Sequence, residues 1–173
     1  ALQINRARYL TDASISQIVN NLVDLEELHI VDSGGSWSRG IIHLQKLPKL
    51  RIIIMRGCTN KSGHWPMNFE DLQHVRGITY LDLGMMESLK DSDLLWMGKL
   101  PCLRALRLED SPISSTALKH FQQQHTLCDL KGGRITDDWQ AHPPHFFTEG
   151  GEEAGKYTID NYIFKQEKCD EKG

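Results

Sequence analysis

The sequence predicts an α/β fold, a right-handed solenoid with a parallel β-sheet on its concave face and helices on its convex face. The first observation is a hexapeptide of the form L-x-x-L-x-L, with Ile or Met allowed for Leu, which occurs four times. The second is the spacing of the copies, which begin 25, 28 and 25 residues apart. Units of this length bury their apolar side only by stacking on one another. The copies are Leu25–Ile30, Leu50–Met55, Ile78–Leu83 and Leu103–Leu108.

Two incomplete copies extend the repeat. Leu127 begins a fifth unit, in which Gly132 replaces the last apolar residue, and Leu2 and Ile4 fit a unit that begins before residue 1. The period and the apolar core are the leucine-rich repeat signature, and they predict about six units over residues 1–136. Since terminal repeats require a cap, we expect something upstream to cover the first residues.

The second half of each unit predicts a turn followed by a helix. Leu10–Ile15, Leu89–Leu94 and Ile113–Leu118 lead into apolar residues spaced three and four apart, the period of one helix face, and the second of these stripes includes Leu95. A Ser, Thr or Asp before each stripe can cap the helix. Trp37–Ile42 is a weaker copy of the same segment.

The unit that begins at Leu50 carries a longer loop, which contains Trp65 and Phe69. Insertions in repeat proteins often lie on binding faces, so these two aromatic residues form a second, weaker candidate contact with a partner. The alternative is that they fill the core of their own unit. After residue 136 the sequence predicts an irregular C-terminal cap, an acidic glycine-rich linker and a tail over 137–173, in which Tyr157–Phe164 is either more cap or a partner-binding arm.

The pattern L-x-x-L-x-L-x-x-C followed by I-T-D-x-x-L resembles the cysteine-containing class of leucine-rich repeat. Cys58 occupies the cysteine position, which Ser33, Met86 and Ser111 hold in other units. Such repeats occur in F-box substrate receptors of ubiquitin ligases and in a small mitochondrial family that includes ATP synthase coupling factor B and respiratory-complex assembly proteins. No F-box segment is present. The resemblance therefore implies a subunit or assembly factor of a mitochondrial membrane complex, and alternatively a substrate-recognition subunit of a cullin-type ubiquitin ligase.

Composition favours a soluble intracellular protein. The net charge is −3, which gives no global electrostatic case for nucleic acid. No apolar run approaches the length of a membrane span, so we expect no direct insertion into a membrane. The four cysteines form no C-x-x-C pair, which predicts free thiols in a reducing compartment. The resemblance favours mitochondrial over cytoplasmic localisation.

No residue pattern predicts catalysis, a cofactor or a metal. The closest histidine pair, His142 and His145, has no cysteine or carboxylate at ligand spacing. The glycine-rich segments Ser33–Ser36 and Lys131–Arg134 match no phosphate-binding motif, and we interpret them as turns after strands. Adjacent residues of a strand point to opposite faces, so Glu26 and Glu27 form no acid–base pair. We therefore expect a non-enzymatic protein without cofactors.

Stacking the strands in register predicts which side chains share the concave face. The candidate partner-binding residues there are Arg51, Ile52, Ile54, Arg56, Tyr80, Asp82, Arg104 and Arg107. Ile52, Ile54 and Tyr80 form an apolar patch of the kind that marks interfaces, unless a register shift places one isoleucine in the core. Neighbouring strands also predict exposed salt bridges from Glu26 to Arg51 and from Asp82 to Arg107, each worth about 0–1 kcal/mol. The alternating charges argue against a polyanionic ligand.

Overall fold

The computed structural model of the chain describes residues 1–37, 39–58 and 69–133. These residues belong to one unit, Ala1–Arg134, with an α/β fold. Trp65 and the predicted C-terminal region lie outside the described residues. The strands are β1 (Leu2–Asn5), β2 (Leu10–Thr11), β3 (Glu27–Val31), β4 (Gly35–Ser36), β5 (Ile52–Arg56), β6 (Tyr80–Asp82), β7 (Ala105–Glu109) and β8 (Asp129–Gly133).

Six of these strands form one parallel sheet, in which every strand pairs with the strand of the next unit in the order β1-β3-β5-β6-β7-β8. Equivalent positions of the hexapeptide stand opposite one another, as the sequence predicts. Leu28 pairs with Ile53, Ile53 with Leu81, and Leu81 with Leu106, and all four side chains are fully buried. The predicted strand register is therefore confirmed, with the leucine positions on the core side of the sheet.

Helical segments connect the strands, and among the described residues two α-helices, of ten residues each, are longer than one turn. The helical segments are α1 (Asp12–Asn21), α2 (Leu94–Met97) and α3 (Ser115–Gln124), with 3₁₀ helices at Gly40–Lys46, Phe69–His74 and Asp91–Asp93. Thr11 and Ser14 form a capping box on α1, and the Ser114 side chain accepts a hydrogen bond from Ala117 N to cap α3. The predicted caps are confirmed for these two helices.

The helix at the weak copy Trp37–Ile42 is a 3₁₀ helix, Gly40–Lys46. One expectation about the helical segments is wrong, because Leu95, which the sequence places in an apolar stripe, is 74% exposed. At Gly40 this 3₁₀ helix packs closely against α1, since a Cβ there would lie 2.9 Å from Ile15 Cβ.

Phe69 begins a 3₁₀ helix and is buried in the core. It therefore fills its own unit, as the alternative interpretation of the loop predicts, and offers little surface to a partner.

A left-handed turn follows each strand from β1 to β7 in the large sheet. One residue in each of these five turns has a φ between 50° and 58°, although only one of the five is glycine. A left-handed backbone costs a residue with a side chain about 1–2 kcal/mol, so the stacked units must hold these turns in place. The five residues are Arg6, Asp32, Gly57, Met85 and Asp110.

The cysteine position of the repeat is the residue that follows each left-handed turn residue, and its hydrogen bonds show why a small polar side chain suits it. Ser33 Oγ accepts a hydrogen bond from Ala7 N at 3.1 Å, and Cys58 Sγ donates to Ile30 O at 3.2 Å. Ser111 Oγ donates to a main-chain carbonyl of the preceding unit at 3.0 Å. A small, buried side chain that forms a hydrogen bond with the main chain of the preceding unit therefore ties each of these units to the one before it.

The cysteines depart in part from the expectation of free thiols. Cys58 and Cys128 are free and buried, and burial raises the pKa of each thiol to about 11. At neutral pH both are therefore protonated and unreactive. Cys102 is disulfide-bonded, contrary to that expectation.

The glycine-rich segment after β3 is part of a second, two-stranded sheet rather than a free turn. Gly35 in β4 pairs in parallel with Leu10 in β2 and has a φ of 138°, a region that residues with side chains rarely adopt. A Cβ at this position would lie 2.0 Å from Leu10 O. The expectation of a turn at the second glycine-rich segment, which begins at Lys131, is also wrong, because Gly132 lies within strand β8.

We expect Gly35→Ala to destabilise the protein by more than about 1 kcal/mol, because the added methyl group cannot be placed without moving the backbone of Leu10. Chemical denaturation followed by circular dichroism measures the change. The matched control is Ser36→Ala, which alters an exposed neighbour and should shift stability by less than about 0.5 kcal/mol. Equal effects of the two substitutions would contradict the described pairing of β2 and β4.

Candidate protein-interaction face

The sheet has a second face, opposite the leucine core, which we call the outer face. Side chains alternate along a strand, so the residues between the buried leucine positions share this face. The register places Ile52 beside Tyr80 and Ile54 beside Asp82, and Asp82 beside Arg107. The structure thus brings six of the predicted partner-binding residues onto one face: Ile52, Ile54, Arg56, Tyr80, Asp82 and Arg107. The remaining two, Arg51 and Arg104, lie one residue before β5 and β7.

The apolar patch on this face is smaller than the sequence predicts. Ile52 and Tyr80 are partly exposed neighbours, whereas Ile54 is only 8% exposed. Ile54 does not belong to the leucine core, so the alternative of a register shift is wrong. It is buried on the outer face, where its cross-strand neighbours are His29 and Asp82.

Asp82 forms a salt bridge with Arg56 instead of the predicted one with Arg107. Arg56 Nη1 lies 3.0 Å from Asp82 Oδ2, and Gly84 N donates to Asp82 Oδ1 at 2.9 Å. The same guanidinium lies 3.8 Å from Glu109 Oε2. Asp82 is 3% exposed and Arg56 is partly buried, so this pair is shielded from water, unlike the exposed bridge that the sequence predicts.

Gly84 makes this arrangement possible. A Cβ on Gly84 would lie 3.0 Å from Arg56 Cζ and 3.1 Å from Glu109 O. The missing side chain leaves room for the guanidinium to lie over the strand end and reach Asp82 and Glu109, which belong to the next two units. The contact with Asp82 is diagonal, because the two side chains are two residues apart in register, a distance that long side chains span.

Arg107 has its own acidic partner on the last described strand. Its Nη2 donates to Asp129 Oδ2 at 2.6 Å and its Nη1 donates to Asp129 O at 2.7 Å. The guanidinium carbon also lies 5.8 Å from the centroid of the Tyr80 ring, within the range of a cation–π interaction. Sequence reasoning named Arg107 and Tyr80 but missed Asp129 as the partner.

The other predicted ion pair is absent from the described residues. Glu26 and Arg51 are adjacent, but their contact is a main-chain hydrogen bond from Arg51 N to Glu26 O at 2.9 Å, and no salt bridge joins their side chains. The nearby acid that does pair is Asp24, whose Oδ1 lies 2.8 Å from Lys49 Nζ.

Burial governs the protonation of the outer face. It raises the pKa of Asp82, although the Arg56 guanidinium and the Gly84 N–H favour the charged form. It also raises the pKa of Glu109, lowers that of His29, and raises that of Tyr80 to about 12. Burial is the largest cause of every one of these shifts, so each of these groups is at least partly shielded from water.

The centre of the outer face carries fixed charges, as in the Asp82–Arg56 salt bridge, beside the Tyr80 ring. In the described residues, no three His, Cys, Asp or Glu side chains group to hold a metal ion. The helices of the same ranges include none long and apolar enough to cross a membrane.

Comparisons with known proteins add no family assignment. No protein-family model matches the chain, and no curated protein matches it. Among solved structures, the chain is similar to an internalin (InlF) from Listeria monocytogenes strain 4b F2365, at 10% identity and a TM-score of 0.48. The match covers 77% of this chain and 41% of the internalin chain. At this TM-score the similarity carries no argument for fold or function.

Proposed function

We propose that the protein is a non-catalytic scaffold that binds another protein through the outer face. In this proposal the described unit is a leucine-rich repeat solenoid of about six units, and the outer face is its concave side. The observation that carries the proposal is the pair Ile52 and Tyr80, apolar neighbours in register that remain partly exposed between salt-bridged arginines.

The surroundings of this pair suit an interface. Aromatic residues and arginines are enriched in protein interfaces, and binding energy concentrates in a few such residues. Arg56 and Arg107 are already fixed by Asp82 and Asp129, so a partner does not have to order them. A surface that is rigid before binding loses less conformational entropy when the complex forms.

The absence of a catalytic role is also part of the proposal. A nucleophile or general base needs a partner within hydrogen-bond reach and access to a substrate. On the outer face the most buried carboxyl, Asp82, is held by Arg56 and by Gly84 N. A scaffold uses such a group to fix a neighbouring side chain.

The finer assignment, a subunit or assembly factor of a mitochondrial membrane complex, depends on the resemblance to the cysteine-containing repeat class. The hydrogen bonds at Ser33, Cys58 and Ser111 support that part of the resemblance which concerns the repeat itself. The expected partners are protein subunits of that complex, with no nucleic acid and no cofactor. Co-purification of cullin-ligase adaptors instead of respiratory subunits would favour the alternative of a ubiquitin-ligase substrate receptor.

The double substitution Ile52→Ser with Tyr80→Ala should weaken partner binding at least tenfold while leaving the fold intact, because truncating central apolar and aromatic contacts commonly costs about 2 kcal/mol or more. The partner is first identified by affinity purification, and its dissociation constant is then measured by calorimetry. Leu95→Ser, on an exposed helical position, is the control and should leave binding unchanged. An unaltered affinity in the double variant would mean that the outer face is not the interface.

A further inference from the structure

The residues before strands β5, β6 and β7 are basic, whereas acidic residues follow β6 and β7. Because all six strands are parallel, the residues that lead into them lie along one edge, which we call the strand-start edge. Residues 44–56, 72–79 and 96–107, which lead into or form β5, β6 and β7, contain no Asp or Glu. The segments that follow β6 and β7 contain Glu87, Asp91, Asp93 and Asp110. The net charge of −3 conceals this separation.

Five cations of the strand-start edge are unpaired within the described residues, whereas a sixth, Lys49, pairs with Asp24. Lys46, Arg51, Arg76 and Lys99 are exposed, and Arg104 is partly exposed. None of these five forms a salt bridge there, whereas both arginines on the outer face, nearer the strand ends, pair with carboxylates. Arg104 Nη1 donates only to a main-chain carbonyl, that of Leu103, at 3.2 Å.

The repeat sets the spacing of these charges. Lys46 and Lys99 occupy equivalent positions, six residues before the first residues of β5 and β7, and Arg51 and Arg104 directly precede those strands. Arg76 belongs to the intervening unit, four residues before the first residue of β6. Neighbouring strands are about 4.8 Å apart, so the cations form a row across three consecutive units. Side chains of such a row attract one anionic partner together.

A cavity of mixed polarity adjoins the end of this row. It has a volume of about 290 Å³, and its lining includes the apolar Leu103, Phe121 and Leu127 beside the polar Arg104, Gln124 and His125. Leu127 is 80% exposed, although the equivalent residues of the four preceding units, Leu25, Leu50, Ile78 and Leu103, are all buried. A leucine that is exposed at a core position of the repeat, at the rim of a cavity, marks a surface suited to contact.

We propose that the strand-start edge binds an acidic peptide segment of another protein, which places one apolar side chain in the cavity and its carboxylates along the row of cations. Charge complementarity and the cavity together favour this occupant. A nucleic acid would extend past the row toward Asp24 and Glu26 at the start of β3 and has no aliphatic group for the cavity. The surface is separate from the Ile52–Tyr80 pair, so this proposal goes beyond the proposed function.

Fluorescence anisotropy with labelled polymers tests the proposal at low ionic strength. The probes are a random copolymer of Glu and Tyr, polyglutamate, a single-stranded RNA of comparable charge, and vesicles containing phosphatidylserine. The wild-type chain should bind the Glu–Tyr copolymer more tightly than the other three, and binding should weaken as salt is added. Tighter binding of RNA or of vesicles would overturn the assignment to an acidic peptide.

Two variants locate the site. The triple substitution Lys46→Ala, Arg76→Ala and Lys99→Ala should weaken copolymer binding at least tenfold, while the control Arg8→Ala, Lys90→Ala and Lys119→Ala, with the same change in net charge at other exposed positions, should not. Leu127→Ser should remove the preference for the copolymer over polyglutamate. Equal effects of the two triple variants, or an unchanged preference in Leu127→Ser, would overturn the proposal.

The outer-face variant separates the two proposals. Ile52→Ser with Tyr80→Ala should bind the Glu–Tyr copolymer with wild-type affinity, because neither residue belongs to the strand-start edge or lines the cavity. A loss of copolymer binding in that variant would place the acidic peptide on the outer face and overturn the separate site. Melting curves of each variant confirm that it is folded.

Discussion

Arg56→Met should lower the free energy of unfolding by about 3–5 kcal/mol at neutral pH, because it leaves the buried Asp82 carboxylate without its counter-charge. Methionine keeps most of the apolar stem of the arginine, so lost packing contributes little. The guanidinium also lies 3.8 Å from Glu109 Oε2, and that carboxylate loses a neighbour too. Urea denaturation at pH 7 measures the effect.

The destabilisation by Arg56→Met should shrink as the pH falls. Burial raises the pKa of Asp82 in the native state, so the stability that comes from its protonation is fully present below the ordinary value of 3.8 and is lost as the pH rises through the raised value. Removing Arg56 raises that pKa further. A neutral carboxyl needs no counter-charge, which predicts that Arg56→Met and the wild type converge in stability at acidic pH.

Asp82→Asn provides the control for this interpretation. If the unpaired charge causes the loss, Arg56→Met combined with Asp82→Asn should be more stable at neutral pH than Arg56→Met alone. A loss that is independent of pH and is not reduced by Asp82→Asn would contradict the role of the salt bridge and assign the effect to packing of the arginine stem.

Leu81→Ala should destabilise the protein by roughly 2–5 kcal/mol, as expected when a buried leucine is replaced and a cavity remains. Leu81 is fully buried between Ile53 and Leu106 of the neighbouring strands. Thermal and chemical denaturation measure the change. The matched control is Leu95→Ala, because Leu95 is a leucine that is exposed on α2 and should shift stability by less than about 0.5 kcal/mol. A near-neutral Leu81→Ala would contradict the strand register.

The sequence predicts the large sheet well because each strand position has a single physical solution. Side chains alternate along a strand, so a shift of one residue would expose Leu28, Ile53 and Leu81 together. The repeat then fixes which residues pair, and the pairs Ile52–Tyr80 and Ile54–Asp82 agree with the prediction. The short pairing of Leu10 with Gly35 carries no such apolar pattern, and the sequence did not predict it.

The salt bridges of the candidate face could not be predicted in the same way. The register identifies residues directly opposite one another, but a long arginine side chain also reaches diagonally. Whether Arg56 turns toward Asp82 depends on the space above Gly84, which a strand pattern does not describe. The signal was present in the sequence, because stacking the units places Gly84 between Arg56 and Glu109, the last residues of β5 and β7. A side chain at position 84 would block the guanidinium.

The sequence pattern also underestimates how deeply side chains are buried on the outer face, for a physical reason. Nominally exposed positions near the middle of a sheet are covered by the long side chains around them, and Asp82 and Arg107 are therefore buried although they do not face the core. A sequence pattern records the face to which a residue points. It does not record how much water its neighbours leave around it.

Site-specific crosslinking tests the central proposal, that the outer face binds a protein, most directly. Benzoylphenylalanine replaces Tyr80 in one variant and Lys119, an exposed residue of α3, in another, and each is irradiated in the cells that express the protein. The proposal predicts a defined crosslinked partner from position 80 that Ile52→Ser abolishes, and no such product from position 119. The same product from both positions, or from position 119 alone, would contradict it.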